Sequence, residues 1–254
     1  LTVGSVAYGA LETPAWRSFA SENGHPSAFS RAGLGIWESI KPEVVEYGGD
    51  CLHTAGNRPT VDTPQDGRDC YPELVRSTMY GGQEFDRDEV GTSFAAPKVA
   101  KIAARLQSLL PGESCLLYRA LIVQSAQWPV WAHALSQEEQ SNVLRRLGFG
   151  IPDIERATTN TDYRTSFITH RERTLGPGDC HIYQVPIPEG LRRPGDDFDI
   201  RIDVTLSYAA APRRTRRTPR GYLATWLDWI SNRKGESIEA FLTRALKSDD
   251  DRLA

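Results

Sequence analysis

Seven residues, Gly91, Thr92, Ser93, Phe94, Ala95, Ala96 and Pro97, open an amphipathic helix and constrain this chain more than any other stretch of it. Ala95, Val99, Ile102, Ala103, Leu106, Leu109 and Leu110 recur at helical spacing, which predicts a buried helix running to about Pro111. Ser93 then falls in the first turn. A helix start leaves backbone N–H groups without intrahelical partners and carries a partial positive charge. A hydroxyl placed there is suited to become an alkoxide and to stand beside an oxyanion. Pro97 has no N–H to return to the carbonyl of Ser93, which predicts a bent first turn with a partly free backbone. The plainer reading makes Thr92 or Ser93 an N-cap, because both residue types are favoured at helix starts for ordinary hydrogen-bonding reasons.

Taken whole, the string resembles the nucleophile motif of the subtilisin-like serine peptidases, the subtilases, in which G-T-S-x-A-x-P carries the catalytic serine. Four further segments resemble the same family in consistent order over roughly residues 1 to 155. LTVGSVA, Leu1 to Ala7, is similar to the buried strand that follows the oxyanion asparagine. HPSAFSRAGLG, His25 to Gly35, is similar to the next turn, with Phe29, Ser30 and Gly33 in register. IKPEVVEYGG, Ile40 to Gly49, is similar to the strand that leads into a proline-glycine turn. It departs from the family at Glu43, where aspartate is usual, and at Tyr47 with Gly48 and Gly49 in place of alanine-proline-glycine. LGFGIP, Leu147 to Pro152, is similar to the turn that closes the catalytic domain.

The resemblance implies an α/β fold, the C-terminal half of a parallel-sheet catalytic domain over residues 1–157. It also implies a β-rich, sandwich-like accessory domain over residues 158–254. In that reading Ser93 is the nucleophile, its own N–H is half of the oxyanion hole, and Gly91 and Thr92 shape the turn. The intact protein of that reading hydrolyses peptide bonds of a protein or peptide substrate through an acyl-enzyme. Subtilases order their triad as Asp, His, Ser, and no segment before Ser93 has the context of the first two. His25 and His53 lie in polar sequence, and Asn23 and Asn57 lie in loop context, so none of them fits the base or the oxyanion asparagine. The expectation is that Asp, His and Asn belong to a preceding segment of a longer polypeptide, and that this chain alone is inactive. A serine hydroxyl without its base retains only the residual catalysis of the oxyanion hole and binding. A rival reading is a catalytically dead subtilase scaffold that acts as a protein-binding module.

Composition fits a folded chain without extremes: 39% hydrophobic, 25% charged and a net charge of −3, with no global attraction for nucleic acid. No stretch approaches the roughly 20 apolar residues of a membrane span. Cys51, Cys70, Cys115 and Cys180 are too far apart for a zinc ribbon or redox pair. Cys115 reads as a small buried thiol, Cys51 and Cys70 as free thiols or, in an oxidising compartment, a disulfide. Scattered free cysteines favour the cytoplasm over secretion. No metal ligand set is assignable, although the resemblance makes calcium possible. Asp86, Asp88 and Glu89 read as surface acids, for no Asp-rich calcium loop follows.

From Cys51 to Val90 the chain reads as inserted loops, with Tyr80, Gly81, Gly82 and Phe85 either shaping the approach to Ser93 or packing among themselves. Helices are expected over Ser114 to Ala126 and from a capping box at Ser136 and Glu139 to Leu147, with Gly148 as the stop. Beyond Asp153 alternation predicts strands at Ser166 to His170, His181 to Pro186 and Phe198 to Tyr208. Tyr222 to Ile230 reads as a strand or helix, and Ser237 to Leu246 as a short amphipathic helix. Arg213, Arg214, Arg216, Arg217 and Arg220 read as a solvated loop or an acidic-partner patch.

Overall fold

The computed structural model describes residues 1–35, 38–56, 60–62, 71, 73–76, 88–169, 172–176, 178–185, 200–210, 227 and 229–247. Among the described residues strands come first: β1 (Val3–Val6), β2 (Trp16–Ser18), β3 (Val44–Tyr47), β4 (Leu52–Thr54) and β5 (Val61–Asp62). Helices follow among the same residues: α1 (Thr92–Leu109), α2 (Cys115–Ser125), α3 (Val130–His133), α4 (Gln137–Leu147) and α5 (Ile154–Thr158), with α6 (Ile238–Lys247) near the end. The chain divides into two units. One holds Leu1–His170 with Asp203–Ala209, the other Arg171–Ile202 with Ala210–Ala254.

In the first unit β1 and β3 run parallel, in register from Val3 opposite Val44 to Val6 opposite Tyr47. Parallel strands need cover on both faces, and successive side chains of a strand point to opposite sides. Val44 accordingly joins Val99, Ile102, Leu106, Leu121, Ile122 and Ala157 on one face, under α1, α2 and α5. Its neighbour Val45 joins Val6, Ala132, Val143 and Leu147 on the other, under α3 and α4. The two valine-rich runs thus form the middle layer of an α/β sandwich, as the α/β reading requires.

The outer edge of β3 is closed by the turn after α4. Phe149 donates its N–H to the Glu43 carbonyl (2.8 Å), and Val45 donates to the Gly150 carbonyl (3.0 Å). Gly148 ends α4 at φ 56°, and a Cβ there would collide with the carbonyl oxygens of Pro42 and Glu43. Only glycine satisfies both conditions. At this same end of β3 the buried Glu43 carboxylate accepts from the Thr2 N–H (2.7 Å), Lys41 (2.9 Å) and Arg119. Burial alone would raise this carboxyl, but the hydrogen bonds from Lys41, Thr2 and Arg119 outweigh it and hold the pKa at about 2.

Helix punctuation follows the sequence closely. Ser114 caps α2 through the Leu117 N–H, Asp153 caps α5 through Arg156, and Ser136 with Glu139 forms the expected capping box on α4. In α1 the buried stripe is Ala95, Val99, Ile102 and Leu106, while Leu109 is exposed in the last turn and Leu110 packs inward instead.

Several expectations are corrected. β4 and β5 fall inside the stretch read as loops; β4 pairs antiparallel with β2 on one side and with β5 on the other, in a three-stranded sheet. Runs of three and two residues are too short to display a strand period. No strand ladder forms among the described residues after Asp62. Ile200, Ile202, Val204 and Leu206 do share the expected alternation, yet all four are exposed. Alternation marks one apolar face, but a strand also needs a neighbour to exchange backbone hydrogen bonds. Cys115 is exposed rather than buried, because it opens α2 on its outer side, and Cys51 is a free thiol. The segment at 213–220, most of 222–228 and Cys70 lie outside the described residues.

Candidate active site

Immediately after β3, Gly48 joins three parts of the fold. Its N–H donates to the Val6 carbonyl at the end of β1 (3.2 Å), and its carbonyl accepts from the Gly91 N–H (2.8 Å). A Cβ on Gly48 would lie 2.5 Å from the Gly91 oxygen and would also strike the Ser5 hydroxyl, so this backbone-to-backbone approach requires glycine. The bond places the start of α1 at the carboxyl ends of the two parallel strands, where open α/β sheets hold their ligands.

The N-cap of α1 is Gly91, with extended backbone (φ 161°, ψ 154°) and no side-chain cap; Thr92 and Ser93 are the first two helical residues. The reading of either hydroxyl as a cap is therefore not what the chain adopts. Phe94 donates its N–H back to the Gly91 carbonyl (3.0 Å). Ser93 is exposed, and among the described residues neither its hydroxyl nor its N–H has a hydrogen-bond partner. No acidic residue lies in the first turn. The helix runs through Pro97 without interruption, so the proline's missing N–H falls on the Ser93 carbonyl. An open hydroxyl beside an open N–H, at the positive end of an 18-residue helix, can attack a carbonyl and receive the resulting oxyanion.

A polar cluster that sequence reasoning missed lies one helical turn further on. Lys98 Nζ donates to the Tyr47 carbonyl (2.8 Å) and to the Tyr8 hydroxyl. The rings of Tyr8 and Tyr47 stack with centroids 5.0 Å apart and planes 13° from parallel. Tyr47 donates its hydroxyl to Asn23 Oδ1 (2.8 Å), and Asn23 Nδ2 donates to the Tyr8 carbonyl (2.7 Å), which closes a ring of contacts. Glu46, beside it, is pushed up by burial, partly offset by the Tyr47 N–H and the charge of Lys98. The legible signal was a lysine set between Ala95 and Val99, on the edge of the buried stripe of α1.

Below the turn, the buried Asp50 carboxylate accepts from the N–H groups of Ala28 (2.7 Å) and Ala20 (3.0 Å). Burial nevertheless pushes its pKa up. The described histidines are engaged elsewhere. His25 packs on the Trp131 ring (centroids 4.3 Å apart) and contacts Ser21 and Glu22. His53, expected in a loop, lies on β4 against Phe19. Asp88 is buried rather than a surface acid and faces Arg76 (3.6 Å). Among the described residues no group of three or more His, Cys, Asp or Glu is arranged to hold a metal ion. No described helix is long and apolar enough to cross a membrane. Asn57, Tyr80, Gly81, Gly82, Phe85, Asp86 and His170 lie outside the described residues.

Comparison with known proteins adds two findings. The model of the subtilase family matches residues 1–150. The chain is also 34% identical over 200 residues to the uncharacterized protein y4bN of Sinorhizobium fredii, covering 77% of this chain and 44% of that protein. It thus spans less than half the length of the curated relative it matches. No solved structure matches it.

Proposed function

We propose, from the premise that this chain belongs to the subtilase family, that it carries the nucleophile of a serine endopeptidase and that the nucleophile is Ser93. The observation that supports this most is the uncapped first turn of α1, which leaves Ser93 exposed at the carboxyl ends of β1 and β3. Ser93 Oγ attacks the carbonyl of the scissile peptide bond, and its proton passes to a histidine. The tetrahedral oxyanion is held by the Ser93 N–H; the histidine then gives the proton to the departing amine, and the acyl-enzyme left behind is hydrolysed by water. Gly91 and Thr92 shape the turn. The histidine, its aspartate and the asparagine that completes the oxyanion hole come from polypeptide preceding this chain, and the 254 residues alone are inactive.

The test is fluorophosphonate labelling of the full-length polypeptide beside its Ser93→Ala variant, with casein cleavage followed in parallel. Labelling and cleavage that both vanish in the variant are expected, a loss of about a thousandfold or more. A folded wild-type protein that does not label would overturn the reading in favour of a catalytically dead scaffold used for binding.

A further inference from the structure

Lys98 is a charged side chain half-buried at the edge of the apolar stripe of α1, and the proposed chemistry does not use it. Among the described residues it makes the only side-chain hydrogen bonds from α1 to the rest of the chain. Its amine lies 4.8 Å from the Tyr8 ring centroid and 5.8 Å from that of Tyr47. An amine bonded to a phenol oxygen sits beyond the ring edge, so the two hydrogen bonds, rather than attraction to the ring faces, do most of the holding.

What those bonds grip is informative. The Tyr47 carbonyl belongs to the residue just before Gly48, and Gly48 holds Gly91. The start of α1 is therefore fastened to the end of β3 twice, through Gly91 to Gly48 ahead of Ser93 and through Lys98 to Tyr47 behind it. Tyr8, two residues past the end of β1, supplies the second acceptor, and Asn23 locks the two tyrosines together. A first turn with no side-chain cap, and with the Ser93 carbonyl deprived of the Pro97 N–H, is prone to fray. The Gly48 bond ahead of it and the Lys98 clamp behind it together restrain the turn against the sheet.

Resting on the reading of Ser93 as nucleophile, we propose that Lys98 is a positioning residue whose clamp to Tyr47 and Tyr8 holds the Ser93 turn in its reactive orientation. It touches neither substrate nor reacting atoms. Its contribution is geometric, and displacements of about 1 Å at a nucleophile can cost on the order of a hundredfold in rate.

The experiment uses the full-length polypeptide with Lys98→Met, Lys98→Arg, Tyr8→Phe and Ser93→Ala. Peptide cleavage, fluorophosphonate labelling rate and amide hydrogen exchange over residues 91–97 are the readouts. Lys98→Met should lower kcat and the labelling rate about 10- to 100-fold with KM nearly unchanged, and should speed exchange in the turn. Lys98→Arg, whose guanidinium can reach both acceptors, should recover most of the loss. Tyr8→Phe keeps the amine and removes one acceptor, so it should show the same changes in smaller measure even if Lys98→Met does not fold. Wild-type labelling rate and wild-type exchange in folded Lys98→Met would overturn the positioning role. Wild-type protein that fails to label overturns the nucleophile reading instead, and the role of Lys98 in holding the turn is then decided by the exchange data alone.

Discussion

Two helix starts in the first unit, those of α4 and α1, differ in what meets their first N–H groups. At α4, Ser136 accepts from the Glu139 N–H (3.4 Å), and the Glu139 carboxylate accepts from the Ser136 N–H (2.9 Å). Glu138 and Glu139 in the first turn add negative charge against the positive helix end. At α1 the cap is a glycine, no side chain closes the turn and no acid lies in it. α4 is closed by its own sequence, as a helix with only packing to do should be. α1 is left open and positive, and it is held from behind by the sheet through Gly48 and Lys98. The difference separates a terminus closed by its own side chains from one whose first turn no side chain among the described residues closes.

The substitution with the largest expected effect makes α1 resemble α4. The extended backbone at Gly91 accepts any residue, and a Cβ there would meet the Ser93 nitrogen at 3.7 Å, an ordinary contact. Gly91→Asp should cap the helix, leaving stability unchanged or raised by a few tenths of a kcal/mol. Its carboxylate would occupy the N–H groups and oppose an oxyanion, so labelling should fall on the order of a hundredfold. Thermal melts and labelling rates measured together check this, and a stable variant that labels like wild type would show that the open turn has no role.

The converse change sharpens the contrast. Ser136→Ala removes the α4 cap and should cost about 1 kcal/mol of stability in denaturant titrations while leaving the labelling rate of the folded protein intact. A matching loss of labelling would mean that the two helix starts are coupled.

The smallest effect concerns the far end of β3. Glu43 has a folded pKa of about 2 against an ordinary 4.5, so its stabilising contribution is present above about pH 4.5 and is lost as pH falls towards 2. Glu43→Gln should flatten the acid limb of the stability curve within that window. A curve unchanged between pH 4.5 and 2 would assign acid unfolding to other groups.

Legibility varied with how local each signal was. The α1, α2 and α4 segments were readable because 3.6-residue periodicity and capping residues act within a few positions, and their bounds agree closely with expectation. Residues 3–6 and 44–47 were legible as strands through their resemblance to the family. The face that each valine takes became visible only once the helices were packed on both sides. The opposite error came at Ile200 to Leu206, where a clean alternation met no partner strand among the described residues. Lys98 was passed over because its acceptors, Tyr8 and Tyr47, lie 90 and 51 residues away.

By itself the sequence determined the Gly91–Pro97 motif, the helix behind it and the glycines at which the backbone must bend or approach closely, because propensity, capping and steric freedom are properties of short segments. The tertiary structure alone decided that Gly91 rather than Thr92 or Ser93 caps α1, that the turn is bonded to the end of β3, and that a lysine joins the two. Each of those depends on partners far apart in the chain, whose meeting is set by the packing of α1 across the parallel pair and not by any local pattern.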